Sequence, residues 1–194
     1  MKHFLSTASL LLILVVIALL PVGAAHAQAS SPFYWEFIHV EIDVHENGDM
    51  LVTETQKYVF TAPHTNERYR WLPLDKVDAI EDIAVFEKGD SLSTTRGVEN
   101  NHLWIRWQHE LNPPESHTFV VKYRVIGGLH IYDDGDQVSW KAIFADRSAP
   151  IQSAKVTVRL PASLAEQILR FNVYGPANQR QVDPRTQSHA ATRM

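Results

Sequence analysis

The 194-residue chain contains no cysteine. That absence removes disulfides, thiolate zinc sites, thiol nucleophiles and lipidation through an exported cysteine. Whatever holds the chain folded is its core, and a chain of this length has enough residues to bury one. Long helical patterns are missing as well: only residues 162–170, "ASLAEQILR", have helical composition. No basic run occurs, and 18 lysines and arginines stand against 22 aspartates and glutamates, so nothing invites nucleic acid. Nucleophile elbows, phosphate-binding glycine loops and dinucleotide fingerprints are not found. His109-Glu110 and His45-Glu46 begin a zinc-helix pattern, but Pro113 and Asp49 stand where the second histidine belongs. These gaps weigh against an enzyme, and no cofactor or metal is expected.

What is present starts with an export signal. Lys2 and His3 precede an unbroken apolar run at residues 10–20, Pro21 and Gly23 end it, and Ala25-His26-Ala27 has small residues at signal-peptidase spacing. Residues 1–27 therefore read as a signal peptide, with Ala27-Gln28-Ala29 as a second cleavage site. The apolar run is short for a membrane-spanning helix, which favours cleavage over an uncleaved anchor. Cleavage takes away Lys2 and no acid, leaving 17 basic and 22 acidic residues and a net charge of −5. The expected location is extracytoplasmic, in a periplasm or on a cell surface.

The exported part has a period of two. Ile38, Val40, Ile42 and Val44 alternate with His39, Glu41 and Asp43, and Asn47-Gly48 then offers a hairpin turn. The returning segment "LVTETQKYVF" is rich in β-branched and aromatic residues, although its alternation is untidy. Further strands are predicted in "IAVFEKG", "HLWIRWQ", "HTFVVKYRVIGG", "QVSWKAIF" and "IQSAKVTVRLP", with turn signals every ten residues or so. This pattern predicts an all-β fold, an antiparallel β-sandwich immunoglobulin-like in general architecture, over residues 33–176. Residues 177–194 lack large apolar side chains and read as a flexible polar tail.

Asp133-Asp134-Gly135-Asp136 invites comparison with a calcium loop, but the twelfth position falls on Phe144 or Ala145 rather than a bidentate glutamate. A tight turn between two strands explains it better. The eight histidines beyond the signal read mostly as solvent-facing strand residues. Residues 61–80 carry Pro63 and Pro73 and read as a long ordered connection, the kind of segment that often carries function. Arg68, Tyr69, Arg70 and Trp71 within it are the first binding candidates, although the plainer reading is that Arg70 pairs with a nearby acid while Leu72 and Pro73 plug the sandwich edge. Trp104, on the opposite face of its strand from Leu103, Ile105 and Trp107, is the next.

The order of these features resembles the N-terminal part of a family of predicted bacterial membrane proteins, domain of unknown function 2207. The resemblance is carried by Asn47-Gly48, Val52-Thr53-Glu54, residues 70–73, Tyr123, Trp140 and Leu160-Pro161. It implies an extracytoplasmic β-sandwich held at a membrane by later helices, with no assigned activity and no catalytic residue to carry over. No segment after residue 29 is apolar enough to span a bilayer, so membrane association would need an uncleaved signal or helices beyond residue 194. The expected function is a non-catalytic envelope domain with an interaction or sensory role and an envelope protein as partner. A cell-wall glycan-binding module using Tyr69, Trp71 and Trp104 is the alternative, and a hydrolase with a dispersed site comes third.

Overall fold

A computed structural model describes residues 31–130, 132–133, 135–144, 147, 149–165 and 188–192. The signal-peptide segment, residues 166–170 of the expected helix and most of the polar tail lie outside the described residues. Among the described residues twelve strands run in chain order: β1 Phe33–Val44, β2 Met50–Phe60, β3 Glu67–Pro73, β4 Ala79–Glu87, β5 Asp90–Leu92, β6 Thr94–Glu99, β7 His102–Gln108, β8 Glu115–Ile126, β9 Leu129–His130, β10 Gln137–Val138, β11 Ser153–Arg159 and β12 Ser188–Thr192. One short helix, α1, covers Ala162–Ala165.

Seven strands form one sheet in the order β12-β11-β1-β2-β8-β4-β5, three form a second in the order β3-β7-β6, and β9 and β10 make a separate ribbon. All pairings are antiparallel except β1 with β11, which run parallel. The fold is an all-β sandwich, as the alternation predicts. Its core fills from both sheets: Ile38, Val40, Ile42 and Val44 of β1 and Phe119, Val121, Tyr123 and Val125 of β8 are all buried. Leu103, Ile105 and Trp107 of β7 close it from the other side, and the Trp107 ring meets Phe119 edge-on with centroids 5.6 Å apart.

Local irregularities explain where the period of two breaks. On β1 the inward positions are Phe33 and Trp35, and then Ile38 onward, because a register shift between Trp35 and Phe37 inserts one extra residue. Such a bulge moves every later side chain to the other face, so it brings the Ile-Val stripe inward. On β2 the alternation is perfect but its inward row reads Met50, Val52, Glu54, Gln56, Tyr58 and Phe60. Two polar residues in a core row are what makes that segment look untidy in sequence.

Several expectations need correction. Residues 61–80 are not one long connection, since Glu67–Pro73 is β3 and pairs with β7 along its whole length. Of "QVSWKAIF" only Gln137 and Val138 are strand. The rest of that segment is irregular chain that still packs on the core, with Phe144 edge-on to Trp35 at 5.4 Å. Strands β5 and β6 were not anticipated. They are held by two-residue turns, Lys88-Gly89 and Asn100-Asn101, whose four residues all have positive φ. Both are type I′ turns matched to strand twist. The Asp-Gly stretch is the expected hairpin, joining β9 to β10. Ser188–Thr192 does not hang free: it pairs with β11. Backbone hydrogen bonds need no large side chains, so a polar composition does not forbid an edge strand.

Candidate functional site

Making β3 a strand sorts its candidates onto two faces. Arg68, Arg70 and Leu72 point into the sandwich and are buried, while Tyr69 and Trp71 point outward and are 44% and 41% exposed. Sequence reasoning grouped the four binding candidates of this segment together; the pleat divides them. Arg68 and Arg70 are therefore withdrawn as surface contacts.

Arg70 is 2% exposed and Glu54, opposite it on β2, is 0% exposed. The guanidinium grips the carboxylate with Nε at 2.9 and 2.8 Å from the two oxygens and Nη2 at 2.8 Å from Oε1. Its remaining donors reach the carbonyls of Trp71 at 2.6 Å and of Lys141 and Ala142 at 3.4 Å. Glu54 also accepts from Tyr123 Oη at 2.6 Å and from Gln56 Nε2 at 2.8 Å. Tyr58 Oη donates to Gln56 at 3.0 Å, and Trp140 Nε1 to Tyr123 Oη at 3.3 Å. Glu54, Arg70, Tyr123 and Trp140, which carry part of the family resemblance, thus meet in one buried cluster that ties the two sheets together. Burial opposes the Arg70 charge, but the Glu54 carboxylate beside it holds the arginine firmly protonated. Burial raises the Tyr58 hydroxyl to about 12, and burial with the adjacent Glu54 charge raises Tyr123 well above the usual tyrosine range. The side-chain nitrogens and oxygens of Glu54, Gln56 and Arg70 each have a hydrogen-bond partner, which is the condition for burying charge.

A second buried group lies at the β3–β8 end. Arg68 stacks on the Phe60 ring at 4.5 Å and donates to the carbonyls of Glu67 and Thr65 at 2.5 and 2.6 Å. His109 and His117 lie with ring centroids 4.4 Å apart. His117 Nδ1 is 2.5 Å from Glu87 Oε1, and its Nε2 is 3.0 Å from Glu115 Oε1 without the alignment of a hydrogen bond. His109 Nδ1 faces the Glu110 carbonyl at 2.7 Å, while its Nε2 has no partner. Burial, with Arg68 and His117 adding to it, lowers the His109 imidazole to about 4. These two histidines are core residues, where the sequence suggested solvent-facing ones. Among the described residues no three histidine, aspartate or glutamate side chains converge as on a metal ion.

The outward face of β3, β7 and β6 carries the remaining candidates. Trp71 sits directly across from Trp104, Tyr69 across from Arg106, and Gly97 of β6 flanks Trp104 on its other side. A Cβ placed on Gly97 would lie 2.6 Å from Trp104 Cζ2 and 2.8 Å from Cε2, so the indole rests on the bare backbone of β6. Around the aromatics, Arg106 Nε donates to Thr95 Oγ1 at 3.0 Å, Gln108 Nε2 to Glu67 Oε1 at 3.0 Å, and Tyr69 Oη to Glu67 Oε2 at 3.1 Å. The bonds from Gln108 and then Tyr69, with the Arg106 charge nearby, lower the Glu67 carboxyl. The structure thus places Tyr69, Trp71 and Trp104 on one face of the three-stranded sheet. Sequence reasoning found these three aromatics and expected Arg70 to pair with an acid, but it did not identify Glu54 or its cluster, whose only signal was two polar residues at even positions of β2.

The family described as "Predicted membrane protein (DUF2207) N-terminal domain" matches residues 35–192. The chain belongs to this family. Other DUF2207 members are predicted membrane proteins, and association with a membrane is consistent with that description. Among the described residues of this DUF2207 domain no helix is long and apolar enough to cross a membrane. No curated protein matches the sequence. Native yeast LTA4 hydrolase is similar in fold, with TM-score 0.52 and 10% identity over 82% of this chain and 27% of that one. The M1 zinc metallopeptidase of Deinococcus radiodurans gives TM-score 0.50 and 12% identity over 83% of this chain and 39% of that one. The chain spans well under half the length of either, and the likeness shows the sandwich alone.

Proposed function

We propose that this DUF2207 domain is a non-catalytic interaction module of the cell envelope, acting outside the cytoplasm, whose contact surface is the outer face of the three-stranded sheet. One observation carries the reading: β3 turns its arginines inward to lock the sandwich and leaves Tyr69 and Trp71 outward beside Trp104. Exposed aromatics on a rigid sheet supply contact area at little cost in side-chain entropy, which is how binding surfaces are commonly built. Arg70, Tyr123 and Tyr58 are sealed in the core, the first two bonded to Glu54 and the third to Gln56, which supports a structural duty for them. The exported setting rests on the signal-peptide pattern of residues 1–27.

The test is photo-crosslinking in intact cells, with a photoreactive residue replacing Tyr69 in one strain and Leu51, exposed on the seven-stranded sheet, in another. Adducts should form from position 69 and be absent from position 51. Equal or no labelling from both positions removes the reading. A fusion of the chain to a reporter active only outside the cytoplasm tests its location, and an inactive reporter there refutes export.

A further inference from the structure

The chemistry of this face narrows the ligand, and the step rests on the contact surface just proposed. Its apolar groups are all aromatic apart from Pro73: no leucine, isoleucine, valine or methionine occupies an outward position of β3, β7 or β6. The exposed Val98 lies across from Leu103, on the opposite face. A protein partner's greasy side chains or a lipid's acyl chains would find no aliphatic pocket there. The indole of Trp104 is seated on Gly97, which leaves its outer side to serve as a stacking surface, with Trp71 across from it on β3. Around that surface stand groups suited to hydroxyls, namely the Glu67 carboxylate and Gln108 amide, bonded to each other, and the Arg106 guanidinium, held by Thr95 and 3.7 Å from Glu67. Two acidic side chains, Glu67 and Glu99, stand on the face against one basic one, Arg106, so its charge balance does not favour an anionic headgroup or polymer.

We infer that the Trp71–Trp104 surface, with Tyr69 and the Glu67–Gln108–Arg106 rim, is a binding site for a neutral oligosaccharide. A sugar ring stacks its C–H face on the aromatic surface while its equatorial hydroxyls meet the rim. Neighbouring strands are about 4.8 Å apart and alternate residues along β3 about 7 Å apart, so Trp71 and Trp104 form one platform and Tyr69 a second position beside it.

Titration of the full chain with N-acetylglucosamine tetrasaccharide and with cellotetraose, read by tryptophan fluorescence and calorimetry, tests the inference. Saturable binding of at least one sugar is expected. Removal of a stacking ring by Trp71→Ala should weaken it roughly tenfold or more. Gly97→Val should do the same without removing any aromatic, because the new side chain lifts the Trp104 indole; circular dichroism confirms that the strand survives. Leu51→Ala, on the other sheet, should leave affinity unchanged. A folded chain that binds neither sugar at millimolar concentration, or binds with equal affinity as Trp71→Ala, overturns the inference. Two more arms separate that failure from failure of the contact surface itself. Association with phosphatidylglycerol vesicles, or crosslinking of a defined envelope protein, that is lost in Trp71→Ala overturns the sugar and leaves the surface standing. Loss of every Trp71-dependent contact overturns both.

Discussion

At the scale of the residue, Glu54 and Arg70 decide more than any apolar side chain, because each is tolerated in the core only with the other in place. Removing one partner strands a buried charge, so Glu54→Leu and Arg70→Met should each destabilise the fold by about 3–5 kcal/mol in urea unfolding. The double substitution, which replaces the pair by apolar bulk, should cost much less than the sum of the singles. Single variants within about 1 kcal/mol of the parent would mean that the pair is not the bolt between sheets. His109 carries a pH prediction. Its imidazole is lowered to about 4 by burial, below the ordinary 6.5, so the unfolded chain binds a proton that the folded chain refuses between those values. Stability from this group is whole above pH 6.5 and is lost as pH falls towards 4, by an amount on the order of 2 kcal/mol. Chemical denaturation across that window should show the slope, and His109→Phe should reduce it; an unchanged slope assigns the acid sensitivity elsewhere.

The elements of this fold are shaped by turns as much as by strands. Lys88 takes a φ of 53° at the first position of a two-residue turn, a conformation that asparagine or glycine tolerates far better. Lys88→Asn is predicted to stabilise the domain by about 0.5–1 kcal/mol in thermal or urea unfolding. A loss of stability would show that the lysine side chain holds the turn by some other contact. Turn chemistry was readable at Asn47-Gly48 and at the Asp-Gly stretch because both couple a turn pair to flanking apolar runs. Strands β5 and β6 escaped because "DSLSTTRGVE" has almost no apolar residues, and strands at a sheet margin need only backbone partners. Strand β3 escaped for the opposite reason. Two of its three inward positions are arginines and its central outward positions are aromatic, the reverse of the pattern by which a half-buried strand is recognised.

For the whole molecule, the two sheets share one core, with Trp107 against Phe119 and Arg70 against Glu54 crossing between them. They should therefore melt together. A chain beginning at Ser31 is predicted to unfold in a single transition, with tryptophan fluorescence and far-ultraviolet circular dichroism coinciding. Separate transitions would show that the three-stranded sheet, and with it the aromatic face, is an independent unit.

Alternation along the chain was enough to determine an all-β sandwich, the inward stripes of β1, β7 and β8, two hairpin turns and, through the order of its motifs, the family. These are local properties: a period of two and a turn pair act within a few residues of themselves. Which face each aromatic of β3 occupies, that Glu54 and Arg70 are partners, and that Gly97 makes room for Trp104 were decided only by tertiary structure. Each of those facts joins segments 7 to 37 residues apart in the chain, and burial reverses the usual preference of a charged side chain only when its partner arrives from the opposite sheet.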